Sequence, residues 1–155
     1  MRLLDAVTIA APPERVWPHA VAVERWPDFL PHYRWVVRLE GEAGGDGVVD
    51  MAAWRPFGAG LNWPTWWTSR IWVDPRQHVV RYRHIAGITR GMDVEWRLVA
   101  RPDGGTDVTI VHEWPGPRWP LIGGLAARTV IGPVFIHGIA ARTLAGLALT
   151  ATHRT

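Results

Sequence analysis

Six consecutive segments of the chain alternate between apolar and polar residues and are joined by short turns. They cover residues 33–40, 48–54, 63–73, 78–85, 92–99 and 107–114. Alternation with a period of two is typical of strands that turn one face toward a core, and short Gly- and Pro-containing links are typical of hairpins. An apolar segment, residues 134–150, follows; it is apolar nearly all round, which indicates a buried helix. The order predicts an α+β fold in which an antiparallel sheet wraps around the last helix.

The N-terminal part of the chain adds one strand and two short helices to this plan. Leu3–Ala10 is typical of a strand, and Pro13 with Glu14 marks the start of a helix that runs to about Val21. A second short helix is predicted between Val23 and Leu30. The expected sheet is therefore curved and seven-stranded, and we also expect a helix over residues 121–131. The 155 residues show no linker or repeat, so they predict a single domain over residues 1–155.

The composition argues against several classes of partner. All 17 basic residues are arginine, the net charge is only +3, and no basic run occurs, so nucleic-acid binding is not favoured. The chain has no cysteine, which excludes a disulfide framework and a thiol nucleophile. Its first ten residues lack the apolar run of a signal peptide, and no uncharged apolar run reaches about 18 residues. We therefore expect a cytoplasmic protein without a membrane span.

Common catalytic motifs are also missing. Ser69 is the only serine, and it lies outside a Gly-x-Ser-x-Gly turn. No His-Glu-x-x-His motif occurs, and Gly58-Ala59-Gly60 does not open a helix after a strand, as a dinucleotide-binding loop would. The sequence predicts neither a metal site nor a cofactor.

The segment of residues 63–73 carries the most unusual chemistry. Alternation places Trp66, Thr68, Arg70 and Trp72 on one face of this strand and residues 67, 69, 71 and 73 on the other. A guanidinium beside two indoles has to be paired, solvated in a pocket or poised for a ligand. We interpret this strand as a pocket wall, with a core strand whose Arg70 binds a carboxylate as the alternative.

Three further residues are candidates for the same pocket. His112 lies between Ile110 and Trp114 on an apolar strand face, where a histidine is either a core residue or a proton donor and acceptor on a pocket wall. His137 on the last helix either faces the cavity or has a structural role only. Tyr33 at the start of a strand either lies near the pocket mouth or is a packed ring whose hydroxyl reaches water. Eleven tryptophans exceed the needs of a small core and favour a lined cavity or an interface.

These motifs together resemble the START-like, helix-grip superfamily, and within it the polyketide cyclase/dehydrase family. The segment Ala11–Trp17 resembles the first helix of that family, and Glu24-Arg25-Trp26-Pro27 with Tyr33 resembles the signature of its second helix. Trp66, Thr68 and Arg70 fall where bacterial aromatic polyketide aromatase/cyclases carry a tryptophan, a hydroxyl residue and the pocket arginine, and the pair Met92 and Trp96 also matches. The Gly- and Pro-rich loop of residues 54–64 and the very apolar tail depart from the pattern.

The resemblance implies an enzyme that folds, cyclises and dehydrates a poly-β-ketone bound to an acyl carrier protein, without a cofactor. A homodimer is one assembly that we expect for it. The expected catalytic residues are Arg70, Tyr33 and His112. The expected substrate-binding residues are Trp26, Trp66, Thr68, Met92, Trp96 and His137. One alternative is a non-catalytic carrier of a lipid, quinone or pigment, and another is a protein-interaction module that uses its tryptophan surface.

Overall fold

A computed structural model describes residues 1–56, 61–116 and 136–153 of the chain. Its elements in chain order are β1 (Arg2–Ile9), α1 (Pro13–Val21), a short 3₁₀ turn (Val23–Arg25), α2 (Trp26–Phe29), β2 (Tyr33–Gly41), β3 (Gly47–Pro56), β4 (Asn62–Asp74), β5 (Val79–Gly87), β6 (Asp93–Ala100), β7 (Thr106–Glu113) and α3 (His137–Thr152). The predicted helix over residues 121–131 lies outside the described residues, as does most of the loop between β3 and β4.

The seven strands form one antiparallel sheet in the order β1-β7-β6-β5-β4-β3-β2. Every pair that is adjacent in the chain from β2 to β7 is a hairpin, and β1 closes against β7. The curved seven-stranded antiparallel sheet predicted from the alternating segments is therefore confirmed. Its two edges are β1 and β2.

The last helix packs its buried face against the inside of the sheet. Its buried residues recur at helical spacing and are Ile139, Ala140, Thr143, Leu144, Leu147 and Ala151. A Cβ on Gly146 would meet Leu30 Cδ2 at 2.3 Å, so the glycine permits close approach of α3 to the end of α2. The helix is not buried all round, because Leu149 is 62% exposed. Across the described ranges, no helix combines the length and hydropathy that a bilayer crossing requires.

A β-bulge at the start of β2 changes which residues of this strand face the core. The pairing with β3 shifts between Tyr33 and Trp35. Tyr33 points inward and is buried, whereas Trp35, Val37 and Leu39 are exposed on the outer face. Uninterrupted alternation over residues 33–40 would place these four residues on one face; this expectation is wrong, because the extra residue of a bulge reverses the alternation.

Candidate functional site

A small cavity lies between the inner face of the sheet and α3. Its lining is contributed by α2, six strands and α3, and comprises Trp26, Tyr33, Met51, Arg55, Trp67, Tyr82, His84, Met92, Val94, Trp96, Ile110, His112, Ile136, Ile139, Ala140 and Thr143. The free volume is about 50 Å³, which is room for a few water molecules. A polycyclic ligand therefore has to push lining side chains apart, and Met51 and Met92 are the most adaptable of them.

The inner face of β4 is the opposite of the one predicted. Antiparallel pairing sets Met51 against Trp67 and Val49 against Ser69, so Trp67 and Ser69 share the inner face of the sheet. Trp66 and Arg70 are exposed on the outer face, and Thr68 is partly exposed there, where its hydroxyl donates to Asp50 Oδ1 at 2.6 Å. The prediction that Trp66, Thr68 and Arg70 line the pocket is therefore wrong. Both faces of this strand are rich in apolar residues, so alternation alone did not distinguish them.

The cation of the cavity comes from the neighbouring strand instead. Arg55, near the end of β3, is 2% exposed. Its Nε donates to Thr65 Oγ1 at 2.7 Å, and its Cζ lies 5.3 Å from the centroid of the Trp67 ring. Thr65 Oγ1 in turn donates to the Ala53 carbonyl at 3.2 Å. Burial lowers the pKa of Arg55 to about 10, and Tyr33 opposes this effect, so the guanidinium remains charged at neutral pH.

Two histidines in the cavity wall are held in the neutral form. Burial, followed by the charge of Arg55, lowers the pKa of His112 to about 3. Burial, Arg55 and His112 together lower the pKa of His84 well below its ordinary value. The His84 ring stacks on Trp67, and its Nδ1 lies 2.6 Å from Thr89 Oγ1. Among the described residues, His112 Nδ1 has no hydrogen-bond partner although it is buried.

Two tyrosine hydroxyls complete the polar part of the wall. Burial raises the pKa of Tyr33 to about 12, while its hydrogen bond with Thr143 and the charge of Arg55 act in the opposite direction. Burial also raises the pKa of Tyr82 well above its ordinary value. The Tyr82 hydroxyl is buried, and the described residues offer it no hydrogen-bond partner. At neutral pH the described residues of the site thus combine the cation of Arg55 with neutral imidazoles and neutral phenols.

The aromatic part of the wall agrees with several of the predicted positions. Trp26 stacks on Trp96 with ring centroids 5.3 Å apart and meets the edge of Tyr33 at 5.1 Å. Trp26 Nε1 donates to the His19 carbonyl at 3.0 Å, which anchors the indole of α2 over the sheet. The structure therefore brings together five predicted site residues, namely Trp26, Tyr33, Met92, Trp96 and His112.

His137 lies apart from this group. Its side chain is 61% exposed and its Nδ1 contacts the buried carboxylate of Asp5 on β1. This contact ties the first turn of α3 to the edge of the sheet, so the prediction that His137 lines the pocket is wrong. No group of three or more His, Cys, Asp or Glu side chains in the described ranges is arranged to hold a metal ion.

The polar and aromatic cavity residues that the sequence analysis did not place in the site are Arg55, Trp67, Tyr82, His84 and Thr143. A signal for Arg55 was present, because it continues the alternation of Val49, Met51 and Ala53 by one more step. The predicted strand ended at residue 54, two residues before the end of β3 at Pro56, and so left Arg55 out. The register of β4 against β3 then decided that Trp67, rather than Trp66, lies beside the guanidinium.

Comparison with known proteins agrees with this architecture. Residues 9–131 match the family described as polyketide cyclase / dehydrase and lipid transport. A protein of Streptomyces cyaneus that carries the name "Putative polyketide cyclase" is 32% identical over 101 residues, which cover 64% of this chain and 64% of that relative. The match therefore spans less than two thirds of the relative's own length.

Solved structures extend the likeness to the whole fold. The Zhui aromatase/cyclase of Streptomyces sp. R1128 superposes with a TM-score of 0.81 at 25% identity, covering 97% of this chain and 93% of that one. A START superfamily protein of Mycobacterium smegmatis superposes with a TM-score of 0.66 at 13% identity, covering 96% and 92%. The predicted START-like, helix-grip fold is confirmed.

Proposed function

Because the chain belongs to the polyketide cyclase/dehydrase and lipid transport family, we propose that it is an aromatase/cyclase that folds, cyclises and dehydrates a poly-β-ketone in the cavity below α3. The observation that carries this proposal is the buried guanidinium of Arg55 among aromatic and titratable side chains. Burying a cation away from water costs free energy. A role in stabilising the negative charge that develops during the reaction accounts for a guanidinium at this position.

The reaction needs charge stabilisation more than it needs a nucleophile. When a methylene of the substrate loses a proton, negative charge develops on the neighbouring carbonyl oxygen. In a dry site Arg55 stabilises this enolate more than the neutral ketone, which lowers the barrier. The imidazole of His112 is neutral at neutral pH and lines the cavity, so we propose that it accepts the carbon-bound proton. The Tyr33 phenol is a donor to the oxygen of the new alcohol.

The polar atoms of the wall favour a ligand that carries several oxygens. The Tyr82 hydroxyl and His112 Nδ1 are buried without a partner among the described residues. A buried donor gains most from a ligand acceptor, because leaving it unsatisfied costs about 1–3 kcal/mol. A poly-β-ketone offers a carbonyl at every second carbon, and a hydrocarbon chain offers none.

The remainder of the proposal concerns how the substrate reaches the site. We propose that an acyl carrier protein in the cytoplasm presents the tethered chain. The exposed aromatic side chains of Trp35, Trp54 and Trp66 on the outer face of the sheet offer a surface for a partner protein. A second copy of this chain, in a homodimer, is one such partner.

The test replaces Arg55 and compares the result with an arginine on the other side of the same sheet. Arg55→Met removes the buried cation and keeps an apolar side chain, whereas Arg70→Met removes an exposed one. With a carrier-bound poly-β-ketone as substrate and products separated by chromatography and mass spectrometry, we expect Arg55→Met to lose about 100–1,000-fold in rate. Arg55→Lys should recover part of the loss, because a point charge does not reproduce the planar fork. Arg70→Met should behave like the wild type.

The same measurements distinguish the second candidate function, a carrier of a lipid, quinone or pigment. The mostly apolar lining of the cavity favours this alternative. A carrier would bind an aromatic or long-chain ligand, quench the buried tryptophans and form no product. Product formation by folded Arg55→Met at the wild-type rate would exclude Arg55 from the chemistry.

A further inference from the structure

A second concavity lies on the outside of the molecule, along the exposed side of α3. It is an open groove of about 480 Å³. Its α3 wall is formed by Arg142, Ala145, Gly146 and Leu149, whose spacing of i, i+3, i+4 and i+7 places them in one stripe on the helix. The segment of residues 29–32, at the end of α2, forms the facing wall.

The middle of the groove is apolar and closed at its floor. Leu30 is buried, and a Cβ on Gly146 would meet its Cδ2 at 2.3 Å, so the helix and Leu30 are in close contact there. At one end of the stripe Leu149 is 62% exposed. An extended apolar ligand that lies along the stripe would cover this leucine and remove apolar surface from water.

The other end of the stripe carries a cation. Arg142 is exposed, and it forms no ion pair with a carboxylate in the described part of the chain. No Asp or Glu is among the described residues that line the groove. Burial, followed by the charge of Arg142, lowers the pKa of His32, the other titratable residue of this lining, to about 4, so the ring is neutral at neutral pH. The described lining therefore offers an uncompensated positive charge to an anion.

The groove is a different site from the cavity on the inner face of the sheet. Thr143 lines the cavity, His32 lines the groove, and His32 Nε2 lies 2.9 Å from Thr143 Oγ1. This pair of side chains stands between the two sites. Arg55, the buried cation of the cavity, is not among the groove residues, so the two sites have separate cations.

We propose that this groove binds a free alkyl carboxylate of medium chain length, with the carboxylate on Arg142 and the hydrocarbon chain along the stripe toward Leu149. A guanidinium presents its N–H groups in the planar geometry that a carboxylate accepts. The inference does not rest on the proposed function, because no cavity residue contacts the bound carboxylate or its chain.

The dimensions of the stripe set the length of the chain. Arg142 and Leu149 lie on the same helix, and the seven residues from one to the other span about 10 Å at a rise of about 1.5 Å per residue. An extended hydrocarbon chain, with carbon–carbon bonds of about 1.5 Å in a zigzag, advances about 1.25 Å per bond. The stripe therefore matches a chain of about eight to ten carbons.

The charge of the groove favours a free carboxylate over a phospholipid surface. Attachment to an anionic bilayer typically uses a cluster of about four to eight basic residues. The described lining of the groove contributes the single guanidinium of Arg142, which is enough for one carboxylate.

Isothermal titration calorimetry with decanoate, below its micelle concentration, tests the site on the full chain at neutral pH. Decyltrimethylammonium is the matched probe, because it carries the same chain with the opposite charge. Arg142→Gln removes the cation and Ala145→Phe fills the groove, and both positions are exposed, so neither change disturbs the core. The matched controls are Arg76→Gln, in the turn between β4 and β5, and Ala141→Phe, on α3 outside the groove lining; both positions are also exposed. Arg55→Met removes the cation of the cavity.

We expect the wild type to bind decanoate at least about 10-fold more tightly than decyltrimethylammonium. Arg142→Gln should lose at least about 10-fold in affinity for decanoate, because hydrogen bonds between two charged groups are among the stronger contacts. Ala145→Phe should lose a similar factor, since its ring occupies the path of the chain. Arg76→Gln, Ala141→Phe and Arg55→Met should bind decanoate like the wild type.

A series of carboxylates from hexanoate to dodecanoate tests the length of the site. Affinity should rise about 2–4-fold for each added methylene up to about ten carbons and then level off, because longer chains extend beyond the stripe into water. An affinity that does not depend on chain length would overturn the assignment of the stripe to the hydrocarbon chain.

Three other results would overturn the proposal. The first is wild-type affinity for decanoate in Arg142→Gln, or equal binding of the two probes. The second is a loss of affinity in Arg55→Met with none in Arg142→Gln, which would place decanoate in the cavity. The third is Arg142-dependent binding to vesicles of anionic phospholipid without binding of decanoate, which would assign the groove to a bilayer surface.

The titration and the cyclase assay fail independently of each other. Decanoate binding needs no polyketide, so its absence would remove the groove site and leave the proposed function in place. Absence of cyclised product, with Arg142-dependent binding of decanoate, would remove the proposed function and support the groove site.

Discussion

Replacing His112 should remove a defined part of the acid sensitivity of the fold. In the folded protein the pKa of His112 is lowered to about 3 by burial and by Arg55, whereas the unfolded chain has the ordinary value of 6.5. Between these two values the unfolded state binds more protons, so stability is complete above about pH 6.5 and is lost as the pH falls. Protonation of His112 stabilises the unfolded state by about 1.36 kcal/mol for each pH unit below 6.5. At pH 5, roughly 1.5 units below that value, the free energy of unfolding is therefore lower by about 2 kcal/mol.

The assay is urea unfolding at pH 7.5 and pH 5, followed by tryptophan fluorescence. The wild type should lose about 2 kcal/mol from His112 between these pH values, in addition to the shares of His32 and His84, whose pKa values are also lowered. His112→Gln should be less stable at both pH values, yet its loss between them should be smaller by about 2 kcal/mol. His153→Gln, at an exposed position, is the matched control and should keep the full loss. An equal loss in His112→Gln and wild type would refute the reasoning.

Two further substitutions test the local structure around the cavity. Thr65→Val removes the hydroxyl that accepts from Arg55 Nε and should lower the free energy of unfolding by about 1.5–3 kcal/mol, whereas Thr65→Ser should keep most of it; equal stability of the two variants would contradict the hydrogen bond. Gly87→Ala should cost about 2–4 kcal/mol, because a Cβ there would lie 2.5 Å from the Trp66 carbonyl at a φ of +89°. Gly91 has almost the same φ, +87°, but a Cβ there would meet nothing within 4 Å. Gly91→Ala should therefore lose less free energy of unfolding in urea than Gly87→Ala, and its loss measures the cost of the backbone conformation alone. Equal losses in the two variants would show that the contact with the Trp66 carbonyl does not destabilise Gly87→Ala.

The order of elements and most of the inner faces were predictable from local pattern. Alternation in the segments of residues 92–99 and 107–114 correctly indicated the inner side for Met92, Trp96 and His112. Each segment has one apolar and one polar face, and the pairing of β6 with β7 is free of register shifts. The small residues and the apolar character of the C-terminal segment likewise indicated a helix against the sheet. These signals depend on the period of a helix or a strand, which is set by residues that are close together in the sequence.

The identity of the buried cation was decided by tertiary structure. Arg55 and Arg70 both lie on strands whose two faces are apolar, so the period of alternation did not say which face is inside. Antiparallel pairing of β3 with β4 chose Trp67 for the cavity and turned Arg70 to solvent, since a shift of one residue exchanges the faces of a strand. A bulge did the same for Tyr33 and Trp35 on β2. The chain thus determined a helix-grip fold with an aromatic cavity, and the register between strands, which depends on residues distant in sequence, determined that Arg55 is the charge inside it.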